Sequence, residues 1–117
     1  MMNVTVSGGD SLAAKLKNAG PRIRRAASDV VGEETVEIAN DMRAAAPVDT
    51  GALRDGIQAE HNDLHGRAVS TAAHSVYVEF GTSSMTEQPF IVPTAEQHRR
   101  PYRRHMAERI DRELGDL

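Results

Sequence analysis

The chain has no cysteine, so neither disulfides nor thiolate metal sites can form. Aromatic side chains are scarce: Tyr77, Phe80, Phe90 and Tyr102 make up 3% of the 117 residues. The core must therefore be built from Ala, Val, Ile, Leu and Met, which bury less area each than large rings do. No apolar run approaches the roughly 20 residues that span a bilayer. Residues 1–9 lack a charged stretch followed by an apolar one, so no signal peptide is expected, and the expectation is a soluble chain, intracellular at synthesis. Excess positive charge is also missing. A formal charge of −3 opposes free, non-specific nucleic-acid binding, which needs a net basic surface. There is no Gly-rich phosphate loop and no Ser in a nucleophile elbow. No enzyme, cofactor or membrane partner is expected.

What the sequence does contain is structural punctuation. At 12.7 kDa, one domain over residues 1–117 is expected. Residues 3–7 alternate, with Val4 and Val6 on one face, as in a short strand. Gly8-Gly9 ends it, and Asp10 or Ser11 can cap a short helix carrying Leu12, Ala13 and Leu16. Gly20 suits the end of that helix and Pro21 the first turn of the next. Ile23, Ala26, Ala27, Val30, Val31, Ile38, Met42 and Ala45 then recur at three- and four-residue steps, predicting a long helix over 22–46. Arg22, Arg25, Asp29, Glu33, Glu37 and Asp41 form its charged face, and Gly32 marks a close helix contact or a slight bend. Pro47 stops it.

After that stop, residues 53–60 read as a strand with Leu53, Ile57 and Ala59 inward and Gly56 as a bulge. Residues 62–66 read as a turn, and 67–73 as a second strand completing an antiparallel hairpin. Residues 76–80 read as a third strand, 81–87 as a polar loop, and 88–93 as a segment held extended by Pro89 and Pro93. A last helix runs from Thr94 to about Leu114, with Thr94 and Gln97 as a capping box and Pro101 kinking or splitting it. The fold class expected is α+β: a small antiparallel sheet packed against one long helix, with a further C-terminal helix.

Candidate chemistry is sparse. His61 and His65 lie in turn chemistry, and His74, His98 and His105 share no ligand spacing with them, so no metal site is expected. Asp49-Thr50-Gly51 matches the aspartic-protease tripeptide, but those enzymes need two carboxylates sharing a proton. Here Asp49 suits a turn in which it accepts backbone N–H bonds and Gly51 supplies a positive φ. Phe80 reads as a buried aromatic anchor beside a tight turn at Gly81, and nothing suggests a second acid converging on Glu79. Arg99, Arg100, Arg103 and Arg104, interrupted by Tyr102, are the one dense basic cluster, and they offer a nucleic-acid contact. Glu96, Glu108, Asp111 and Glu113 flank them and can pair with them at helical spacing.

Three motifs follow the long helix in order: Ala46-Pro47-Val48-Asp49-Thr50-Gly51-Ala52-Leu53-Arg54, then Tyr77-Val78-Glu79-Phe80-Gly81-Thr82, then Gln88-Pro89-Phe90-Ile91-Val92-Pro93-Thr94-Ala95. The series resembles the tail-component family of long-tailed bacteriophages, the lambdoid gene-ten type, also described as neck or tail-completion proteins. The likeness runs from about Leu12 to Leu114. It departs at Gly56, where the family more often has serine. The resemblance implies a structural virion protein of the head–tail junction, made in the host cytoplasm, that forms a homo-oligomeric ring. Its implied partners are adaptor, stopper, tail-terminator and tail-tube proteins, with packaged DNA close by in the channel. In that picture Pro47, Asp49, Thr50, Gly51, Leu53 and Arg54 are fold and assembly residues, as are Glu79, Phe80, Gly81, Thr82, Pro89, Phe90 and Pro93. The competing expectation is a small nucleic-acid-binding module acting through residues 99–104.

Overall fold

A computed structural model of the chain describes residues 2–7, 20–47 and 51–115. In order these form β1 (Met2–Ser7), α1 (Pro21–Ala45), α2 (Ala52–Asp55), β2 (Ile57–Asn62), β3 (His65–Ser70), α3 (Ser75–Phe80) and α4 (Val92–Gly115). The strands make one antiparallel sheet in the order β1-β3-β2, so the class is α+β. The expected helix on Leu12, Ala13 and Leu16, with its cap at Asp10 or Ser11, lies outside the described residues.

The sheet is two-sided, and its pleat decides what each face meets. Val6, Gly66 and His61 stand in register across the three strands, as do Val4, Ala68 and Ala59. That face carries Val4, Val6, Ile57 and Ala68 onto α1. At Gly66 the approach is so close that an added Cβ would sit 1.9 Å from Thr35 Oγ1, so no side chain fits there. Gly32 of α1 makes the reciprocal accommodation, since its missing Cβ leaves room for the His61 ring. The close contact expected at Gly32 is therefore one with a strand. Ala59 has the inward register expected of it but is exposed on the edge strand.

α1 is the central element, with 25 residues and a Pro in its first turn. One side of its stripe lies on the sheet and the other on α4, which packs antiparallel to it. Arg22 near the start of α1 pairs with Glu113 near the end of α4, and Asp41 near its end pairs with His98 near the start of α4. The core joins Ile23, Val30, Val31, Ile38 and Met42 of α1 to Leu53, Ile57, Phe90, Ile91 and Met106.

Several expectations are corrected. Residues 53–60 are not one strand: Leu53 sits in the helical turn α2, and Gly56 caps that turn with ordinary helical φ instead of forming a bulge. The hairpin turn is tighter than expected, at Asp63 and Leu64, so β3 starts at His65. Residues 76–80 are helix, not strand. Their alternation of Val76, Val78 and Phe80 misleads, because burial falls on Ser75 and Glu79, four apart. Phe80 is 60% exposed and is no buried anchor; the buried ring is Phe90. The last helix starts at Val92 and includes Pro93, whose fixed φ suits a first turn. The expected capping box is absent, since Thr94 lies inside the helix and its hydroxyl donates to Phe90 O at 2.8 Å. Pro101 does not split α4, which is one element across it.

Candidate functional site

The region between α3 and α4 is built around one carboxylate. Glu79 is 2% exposed, and no cation pairs with it among the described residues. Instead it accepts three backbone bonds. Phe90 N–H and Ile91 N–H donate to Oε1 at 3.0 and 2.9 Å, and Val92 N–H donates to Oε2 at 2.9 Å. The Ile91 and Val92 donors are among those that the start of a helix leaves without intrahelical partners, and Phe90 N–H lies just before them. They also lie at the positive end of the α4 dipole, where an anion is stabilised. Charge-assisted bonds of this kind contribute about 2 kcal/mol each. Glu79 therefore caps α4 from a distance and fixes the chain between residues 80 and 90.

That chain forms a compact loop. Gly81 has φ +76°, a conformation L side chains rarely adopt, and its N–H donates to Tyr77 O at 2.8 Å. Thr82 and Met85 pair as an isolated bridge, and Gln88 N–H returns to Val78 O at 2.8 Å. Phe90 is then delivered, fully buried, into the core.

The first motif closes the same region. Gly51, buried and at φ +82°, takes the left-handed conformation expected of it and leads into α2. α2 places Leu53, 4% exposed, in the core, while Arg54 stays outside, 3.5 Å from Asp55. Asp49 and Thr50 lie outside the described residues. A groove of about 320 Å³ lies between Pro47, Gly51 and Leu53 on one side and His74, Val78, Met85 and Gln88 on the other. Residues of all three motifs thus line one groove. Met85 of the lining is 39% exposed, and Tyr77 and Phe80, on the same helix α3 as Val78, are 56 and 60% exposed. In a chain with four aromatics, two of them face solvent on this short helix.

A second constellation lies between α1 and α4, and spacing within either helix alone does not pair its members. Glu34 falls in the apolar stripe of α1 and is 3% exposed. His98 Nδ1 lies 2.6 Å from Glu34 Oε1, and His98 Nε2 lies 2.6 Å from Asp41 Oδ2. Burial lowers the His98 pKa, but hydrogen bonds and charge from Glu34 and Asp41 outweigh it, and the net shift is upward. His105 Nδ1 is 3.7 Å from Glu34 Oε2. Tyr102, on the same face of α4, has its phenol pushed up to about 12 by burial and by the Glu34 charge. The signal available in the sequence was the stripe itself: Val30, Glu34 and Ile38 are four apart, as are His98, Tyr102 and Met106.

Arg99, Arg100, Arg103 and Arg104 are all exposed, on the side of α4 turned away from α1. Among the described residues, the local pairing expected of them holds only for Arg99, 3.6 Å from Glu96. Glu113 pairs instead with Arg22 across the helix pair, and Glu33 of α1 takes Arg109 at 3.3 Å. No described helix is long and apolar enough to cross a membrane.

Comparison with known proteins gives one result. The sequence model of a family described as "Bacteriophage HK97-gp10, putative tail-component" matches residues 10–81. That stretch contains the first motif, α1, the whole hairpin and the second motif as far as Gly81; the Phe90 motif follows it. No curated protein and no solved structure matches the chain. The family agrees with the resemblance carried by the motifs. The chain belongs to the HK97 gp10-like family of bacteriophage tail components.

Proposed function

We propose that this tail component acts at the head–tail junction, as a ring-forming subunit that joins portal-side connector proteins to the tail. The observation that carries the reading is the groove and its apolar rim. Pro47, Gly51 and Leu53 meet Val78 and Met85 there, and α3, which carries Val78, also exposes Tyr77 and Phe80. Exposed rings on a chain this poor in aromatics fit a surface that a neighbouring subunit covers. A ring needs two different patches meeting head to tail, and the groove would supply one of them. The Glu79 cap holds the rim rigid before assembly, which limits the ordering cost of association. No catalytic role is proposed.

The test is genetic and morphological. In a phage lacking this chain, full heads and finished tails should accumulate unjoined, and adding the protein to the extract should join them. Joined, infectious particles without the protein would end the proposal.

A nucleic-acid reading keeps one observation in its favour: among the described residues no carboxylate pairs with Arg100, Arg103 or Arg104. Within the proposed ring these arginines would lie near DNA passing through the channel. Duplex DNA binding that falls steeply with salt, and that is lost when all four arginines become Gln, would favour this second reading.

A further inference from the structure

We infer that Glu34, Glu37 and His98 form a binding site for a divalent transition cation that bridges α1 and α4. One ligand atom from each of the three lies within 4.8 Å of the others. The donor set, one imidazole nitrogen with two carboxylate oxygens, selects borderline cations such as Zn²⁺ or Co²⁺ over Mg²⁺ and Ca²⁺. The two helices divide the labour. Glu34 and Glu37 are one helical turn apart on α1, and His98 comes from the facing helix, so a bound cation would staple the pair.

The surroundings supply what such a site needs beyond three ligands. His98 Nε2 faces Asp41 at 2.6 Å, which lies outside the ligand set. A carboxylate holding the far nitrogen of a ligating histidine is the usual support in metal sites, because it fixes the tautomer and turns the other nitrogen toward the metal. Here the other nitrogen, Nδ1, points at Glu34 Oε1. Glu34 is buried and held in place, whereas Glu37 is exposed at the mouth. A cleft of about 250 Å³ between the helices, lined in part by Glu33, Glu34, Glu37 and His105, leaves room for a water ligand beside the cation. The fit requires little movement. A tetrahedral cation holds its nitrogen and oxygen ligands about 3.3 Å apart. Glu34 and His98 need to separate by less than an ångström from their 2.6 Å contact. The likeness to a tail component neither requires nor suggests this site.

Untagged, chelator-stripped protein titrated with ZnCl₂ tests it by calorimetry, with the Co²⁺ visible spectrum as a second readout of an imidazole–carboxylate site. One equivalent per chain is expected, with a higher melting temperature when Zn²⁺ is bound and no such rise with MgCl₂. His98→Gln should abolish binding. Glu37→Gln, at an exposed position, should leave the fold intact and weaken binding tenfold or more. Asp41→Asn should weaken it about tenfold through the support it gives His98. The double change His61→Gln with His65→Gln, at the hairpin, should leave it unaltered. Absence of stoichiometric saturation, or Glu37→Gln binding within twofold of the parent, would overturn the site. So would Zn²⁺ binding that follows the hairpin histidines.

Discussion

Two buried carboxylates hold this molecule together, and they are satisfied in opposite ways. Glu79 sits among backbone N–H groups at the start of α4, with no side-chain counter-ion among the described residues. Glu34 sits among side chains, with His98 and His105 as partners. The first arrangement depends on donors that never titrate. The second depends on an imidazole whose proton can leave. Thus the donors that hold Glu79 keep their protons as pH rises, while the α1–α4 seam contains one that is lost. The difference shows that what rising pH does around a buried carboxylate depends on whether its partners are backbone or imidazole.

The contrast can be broken in graded steps. Glu79→Ala should be the most damaging change, costing about 4 kcal/mol by denaturant unfolding, because three N–H groups lose a charged acceptor and two of them are buried. His98→Ala should cost about 3 kcal/mol, since it leaves Glu34 charged and unsupported by its closest partner. Next comes pH. The folded-state pKa of His98 lies above its ordinary 6.5, so its contribution to stability is complete below that value. It is lost as pH rises through the folded pKa. Unfolding at a series of pH values in EDTA should show this decline in the parent and in Glu79→Ala, and its absence in His98→Ala. A parent stability that is flat or rising above pH 6.5 would remove the contrast. Gly51→Val should cost about 2 kcal/mol, because a β-branched residue is strained at φ +82°. It should appear as reduced soluble yield. Phe80→Ser should change stability by no more than about 0.5 kcal/mol, as expected for an exposed side chain.

The same contrast explains what could be read in advance. α1 and β1 were legible because their burial follows apolar periodicity, and the hairpin was legible as two extended runs about a turn, with its strand bounds displaced. So was Gly51, whose turn requires a positive φ. α3 was not, because its buried positions are Ser75 and Glu79 while its exposed ones include Val76, Tyr77 and Phe80. Apolar side chains at alternate positions that face solvent give the same pattern as a core-facing strand. The Glu79 cap was hidden for a different reason. Its partners are backbone atoms 11 to 13 residues away, and backbone donors leave no trace in residue identity. The Glu34–His98 pair spans 64 residues and two helices, so spacing within either helix could not disclose it.

The central claim is that the rim beside the Glu79 joint is an assembly surface. Native mass of the purified protein, alone and mixed with tail-terminator and stopper partners, tests it most directly when the parent is compared with Phe80→Ser. The account expects the parent to form a ring or to enter a complex with those partners. It expects Phe80→Ser, with an unchanged melting temperature, to remain a monomer. A parent that stays monomeric and joins no partner, or a Phe80→Ser variant that assembles as the parent does, would contradict it.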